Sequence, residues 1–342
     1  MSEHTHPDQD PQDLLFGSFV SPTAHPTRQA VDLAVVSEAA GLDLVTVQDH
    51  PYQSSYHDTS TLLTYIAART RRIAVSGNVT SLPLRPPLAL AREAATVDQL
   101  SGGRFRPGIG AGAFWDGIAR MGARRLTAGQ AIEALREAIG IIRDAWDPTR
   151  QGPLHHEGRW YRVDEGARAP NAVAPIPVWV GSYKPRMLAL TGEVADGWLP
   201  SLEYVEGGLR GVADANARID DAAHAAGRDP ASVRRLMNFM RTELTASGRG
   251  SGDGFLVGPP QMWVDRLTAL AGEHRISAFL IAGDDPTTIA RFGQEIAPAV
   301  REARSHRSSS ASANTGYEFD DRRRRAAAGP DPGRPPGGGA GG

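Results

Sequence analysis

Short apolar runs that stop abruptly on polar residues, each followed by a helical stripe, recur about eight times along this chain. That alternation leaves few folds open. The clearest instance is Leu44 to His50, LVTVQDH. Leu44, Val45, Thr46 and Val47 are apolar and β-branched, as in a parallel strand buried on both faces. The run ends on Gln48, Asp49 and His50, and Pro51 cannot continue a ladder. A parallel α/β barrel presents its site in this way, at the carboxyl ends of its strands. Taken alone, Asp49 and His50 read equally well as the start of a loop.

The other units follow in order. Leu14 to Val20 reads as a strand, and a helix opened by Pro26 and Thr27 stops at Gly41. Asp58 or Thr59 caps a helix through Arg69. A strand from about Arg72 to Asn78 precedes a helix opened by Pro86 and Pro87, which ends at Gly102-Gly103. Arg104 to Ile109 reads as the fourth strand, leading into GIGAG. Thr127-x-x-Gln130 is a capping-box pattern, and Ile132, Leu135, Ile139, Ile142 and Trp146 mark one face of the helix it opens. Residues 152–175 read as an irregular excursion. Strands IPVWVG (176–181), VADGWLP (194–200), RRLMNFMRTEL (234–244) and ISAFLI (276–281) then alternate with helices. The fold class is α/β: a TIM (β/α)8 barrel over residues 13–303, with an excursion between strands 4 and 5. Residues 1–12 and the Ser-, Gly-, Pro- and Arg-rich stretch 304–342 read as a disordered N-terminus and a disordered C-terminal tail.

Gly108, Gly110 and Ala113 match the dinucleotide fingerprint G-x-G-x-x-G/A, with Glu133 about 20 residues on. The context does not fit. The acid should end a second strand, whereas Glu133 lies inside the helical stripe of Ile132 and Leu135. The glycines instead read as positions where backbone approaches a flat ligand closely.

Composition narrows the chemistry. A net charge of −2 creates no basic field for nucleic acid or anionic membrane. The absence of cysteine excludes disulfides, thiolate nucleophiles and iron–sulfur ligation. No apolar run approaches the roughly 20 residues of a membrane span, and MSEHTHPDQDPQD carries no apolar stretch of signal-peptide type. A cytoplasmic protein is the expectation. A barrel mouth built here holds Ser18, Ser21, Asp49, His50, Asn78, Ala111, Gly112, Gly181, Ser182, Pro200, Ser201 and Asn238. Its titrating groups are Asp49 and His50, with His25 and His57 nearby in sequence. That set lacks the ligands for a catalytic metal and the paired carboxyls of a glycosidase. It suits a protein supplying shape, amides and one acid/base to a redox cofactor.

Four stretches, AAGLDLVTVQDHPY, ARTRRIAVSGNVTSLPLRPPLALAREAATVDQLSGGR, GIGAGAFWDGI and IPVWVGSYKPRMLALTGEVADGWLPS, occur in this order. On these residues the chain resembles the bacterial luciferase-like superfamily of flavin- and F420-dependent oxidoreductases, from Leu14 to about Val300. The resemblance implies a TIM barrel, a homodimer, and FMN or coenzyme F420 at the strand carboxyl ends. It makes Asn78-Val79 the bulge behind the isoalloxazine ring, often a non-proline cis peptide. Ala111 and Gly112 become backbone lining the cofactor, and Gly181, Ser182 and Tyr183 its phosphate end. Ser18 and Asp49 complete the cofactor-binding set. Asp49-His50 resembles the Asp-His pair of the deazaflavin branch, in which the His handles a proton, so both are the catalytic candidates. Sugar-phosphate dehydrogenases of that branch carry a Glu just after the glycines, where this chain has Ala113 and Phe114.

Family frequency ranks first a monooxygenase using reduced FMN and O2 on a small-molecule substrate, its flavin delivered by a separate flavin reductase. The alternative is F420-dependent hydride transfer with His50 as acid/base. A second alternative is a flavin-binding protein without turnover.

Overall fold

The computed structural model describes residues 12–246 and 254–306. The chain divides into two compact units, Met1–Val300 and Arg301–Gly342. The regions expected to be disordered lie almost wholly outside the described residues, except that residues 304–306 are helical. Among the described residues no helix is long and apolar enough to cross a membrane.

The first unit is a parallel barrel. Its strands are β1 (Leu15–Val20), β2 (Leu44–Val47), β3 (Ala74–Gly77), β4 (Gly108–Gly110), β5 (Trp179–Val180), β6 (Gly197–Trp198), β7 (Arg234–Phe239) and β8 (Ala278–Ala282). Neighbours in sequence are neighbours in the sheet, and β8 returns to pair with β1, Leu15 opposite Ala278. The ring closes through the third strand, which runs in two segments. Ala74–Gly77 pairs with β2, while Thr80–Ser81 pairs with β4. A parallel bridge between Val75 and Phe105 joins the two sides. Between the segments, the Asn78-Val79 peptide is cis.

Alternation along each strand separates two cores. Leu15, Leu44, Trp179, Leu199, Leu236, Ala278 and Leu280 fill the barrel interior. Phe16, Val45, Val75, Met237, Phe239, Phe279 and Ile281 pack against the surrounding helices. The helix boundaries follow local chemistry. Asp58 caps Thr59–Arg69 by accepting from Thr61 N, Pro87 opens Pro87–Ser101, and Gly102 closes it at φ 73°. Thr127 and Gln130 form the complete capping box of Ala128–Trp146. That helix buries Leu135, Ile139 and Ile142 against the barrel wall.

Several boundaries differ from the sequence expectation. The fourth strand is only Gly108–Gly110, because Pro107 has no N–H to give the ladder, and before it only a bridge of Phe105 to Val75 remains. The seventh ends at Phe239, and Thr242–Leu244 pairs instead with Leu256–Gly258. The helix after the sixth strand runs from Gly208 to Ala225. The excursion contains an antiparallel pair, Leu154–Glu157 with Arg162–Gly166.

The GIG glycines pack against the interrupted third strand. A Cβ on Gly108 would stand 2.2 Å from Gly77 O, and one on Gly110 would stand 2.6 Å from Val79 Cγ2. Gly110 also lines the cavity at the strand ends. Gly108→Ala is therefore expected to cost about 1–3 kcal/mol by overpacking. Gly140→Ala, on an exposed helix position with open space around its Cβ, is expected to stabilise by about 0.5–1 kcal/mol. Urea unfolding of both variants checks the pair; equal effects would remove the steric account.

Candidate functional site

At the carboxyl ends of the strands lies a cavity of about 450 Å³. The expected residues Asp49, His50, Asn78, Val79, Ala111, Gly112, Gly181, Ser182 and Tyr183 all line it. Ser18 does not. It is fully buried, and its Oγ lies 2.7 Å from Ser37 Oγ on the helix Gln29–Ala39. The alternation on β1 sends Ser18 outward and its neighbour Phe19 to the cavity. His25 and His57 stay outside the lining as well; His57 Nε2 bonds to Thr27 O at 3.0 Å.

The floor is made by Val79 and an amide pair. Asn78 Nδ2 donates to Asn238 Oδ1 at 2.7 Å, and Asn238 Nδ2 returns a bond to Asn78 Oδ1 at 3.2 Å. Thr46 Oγ1 and Ser201 Oγ accept from the same two amide groups at 3.2 and 3.3 Å. This network crosses the barrel from the third strand to the seventh, and Asn238 enters the site through it. Ser81 also lines the cavity, with its Oγ buried and without a hydrogen-bond partner among the described residues.

Asp49 is not placed to move a proton. Its side chain is wholly covered, Oδ2 accepts from Ser81 N at 2.8 Å, and Arg85 grips both oxygens. Its carboxylate ties the end of β2 to the segment that begins at Thr80–Ser81. The sequence carried no local sign of this, because Arg85 is 36 positions away.

His50 is free by contrast. Its ring stacks on Tyr52 at 5.4 Å and meets the edge of Phe114 at 5.1 Å. Neither ring nitrogen has a hydrogen-bond partner among the described residues. Burial holds its pKa below the ordinary value, outweighing the opposing charge of Asp49. Burial thus favours the neutral imidazole. Burial, helped by Asp49, pushes the Tyr52 hydroxyl up to about 12, so it remains protonated.

On the opposite wall, Ser182 Oγ lies 2.9 Å from Thr191 Oγ1, and Ser182 O accepts from Trp198 Nε1. Both groups are committed, so the side chain positions backbone rather than reaching into the cavity. Tyr183 OH accepts from Ser201 N at 2.9 Å, and burial raises its pKa. The helix Pro185–Val194 starts beside them with no side-chain cap, leaving its first amides available to an anion.

Over residues 13–241 the chain matches the family described as luciferase-like monooxygenase. The chain belongs to that family. Its curated relatives include an F420-dependent glucose-6-phosphate dehydrogenase of Nakamurella multipartita, 28% identical over 226 residues. That match covers 62% of this chain and 66% of the relative's own length, just under two thirds. A 5,10-methylenetetrahydromethanopterin reductase of Archaeoglobus fulgidus is 27% identical over 272 residues, 78% of this chain and 71% of the relative. Among solved structures, the coenzyme F420-dependent tetrahydromethanopterin reductase from Methanopyrus kandleri superposes with a TM-score of 0.69 at 20% identity, covering 84% of this chain and 99% of that one. A monooxygenase from Streptomyces bottropensis superposes at 0.67 and 18% identity, over 83% and 99% of the two chains. This member of the luciferase-like family thus shares its barrel with F420-dependent and oxygen-using proteins alike.

Proposed function

We propose that this luciferase-like protein is a hydride-transfer oxidoreductase that uses coenzyme F420, with His50 as the base that holds the accompanying proton. The observation that carries this reading is its sequence kinship with relatives described as F420-dependent. The monooxygenase using reduced FMN and O2, ranked first from the sequence, becomes the second reading. The solved monooxygenase supports it by fold alone.

The cavity residues fit a flat cofactor. Its volume lies within the usual range for small-molecule sites. Val79 offers an apolar floor, the partnerless Ser81 hydroxyl and the Asn78–Asn238 amides offer polar contacts, and the uncapped helix start suits a phosphate. When bound, a deazaflavin supplies a carbon that takes or gives a hydride, so the proton is left to the protein. A neutral imidazole with unpaired nitrogens is suited to accept it. Tyr52 and Phe114 cover two sides of that ring and limit water around it.

The test is a fluorescence titration of the purified protein with F420 and with FMN. F420 is expected to bind in the micromolar range and FMN at least about tenfold more weakly, a difference of roughly 1.4 kcal/mol. Tighter binding of FMN, or O2 consumption coupled to substrate oxidation with reduced FMN, would instead establish the second reading.

A further inference from the structure

We infer that the substrate is an uncharged, largely aromatic or apolar alcohol, and not a phosphorylated sugar. The inference rests on the reading that His50 is the proton acceptor, and it concerns what surrounds that residue.

Two aromatic rings meet the His50 ring: Tyr52 stacked on it and Phe114 edge-on. Phe114 is 58% exposed although it sits at the cavity entrance. Tyr204, 66% exposed, and Met240 line the same cavity. Large apolar side chains held in water around a concave site mark a surface that gains by being covered with apolar matter.

Charge argues the same way. Among the described residues, Lys184 is the one basic side chain besides His50 that lines the cavity. Its Nζ is 3.1 Å from Glu206 Oε2, and it stands at the start of the helix Pro185–Val194, at the end assigned to the cofactor's own phosphate. The Asp49 carboxylate is sealed behind Arg85. A phosphate dianion seated beside His50 would thus give up its water without a cation to replace it. An aromatic ring there meets the rings of Tyr52 and Phe114.

The step balances simply. The substrate's O–H bond breaks and its proton passes to a free imidazole nitrogen of His50. The adjacent C–H bond would break with its electron pair leaving as hydride, which an oxidised deazaflavin held in the cavity would accept. A carbonyl C=O forms, so the substrate is oxidised by two electrons and the cofactor reduced by two. Phe114 is the residue that sets specificity in this arrangement.

Calorimetric titration with 1-phenylethanol and with glucose 6-phosphate, each with and without F420, tests the inference. 1-Phenylethanol is expected to bind at millimolar concentration or below and glucose 6-phosphate not to bind. Phe114→Ala is expected to weaken 1-phenylethanol about tenfold. Because Phe114 is exposed, the variant should keep the wild-type melting temperature, which is measured alongside. Tighter binding of glucose 6-phosphate, binding of neither probe, or an unchanged affinity in Phe114→Ala would overturn the inference. Failure of F420 itself to bind would strike the cofactor reading instead, with the two probes still compared on the free protein.

Discussion

His50→Ala is expected to lower turnover by on the order of 10²-fold or more, the usual contribution of a positioned acid/base, while leaving the fold intact. The ring lies at the open mouth rather than in either packed core, so its removal leaves no closed void. Circular dichroism and melting temperature check the fold, and steady-state rates of F420 reduction check the chemistry. Kinetics equal to wild type would reduce His50 to a wall of the pocket.

The pH profile offers a second reading of the same residue. A base works unprotonated, so kcat/KM for alcohol oxidation rises with pH through the His50 pKa and is level above it. Burial depresses that pKa and Asp49 only partly opposes it. The midpoint of the acid limb should accordingly fall below the ordinary histidine value of about 6.5. A midpoint above it would mean that the nearby carboxylate, and not burial, governs the ring.

Much of the frame was legible because it is written locally. Strands buried on both faces leave continuous apolar runs, as at Leu44–Val47, and helix ends leave residues with one job, such as Thr127, Pro87 and Gly102. Parity was harder. Ser18 and Phe19 differ by one position, and only the ring's closure decides which of them faces inward. The long-range pairs were invisible. Nothing beside Gly110 in sequence announces that Val79 will press against it, and nothing near Asp49 announces Arg85. The dinucleotide-like glycines show the consequence: their spacing serves a neighbouring strand, a reason no linear motif contains. The aromatic wall around His50 likewise joins Tyr52 to Phe114 from different loops.

The ion pair behind His50 sets the largest expected loss of stability. Arg85 is 13% exposed, the Asp49 side chain is fully covered, and Arg85 also reaches Asp58, the cap of the helix Thr59–Arg69, at 3.5 Å. Arg85→Met keeps the apolar stem but strands a buried carboxylate whose one remaining hydrogen-bond donor among the described residues is the amide of Ser81. Removing one member of such a pair costs about 3–5 kcal/mol, which lowers Tm by roughly 5–15 °C in a domain of this size. The double variant Arg85→Met/Asp49→Asn removes the stranded charge and should recover part of the loss, because the two sites share one interaction. Arg85→Met should also move the acid limb of activity to higher pH, since an uncompensated Asp49 charge favours the imidazolium of His50. Thermal unfolding together with the pH profile separates the two roles. A lowered Tm with an unmoved acid limb would make Arg85 a brace for the barrel mouth and nothing more. A shift in both would make it the residue that keeps His50 ready to take a proton.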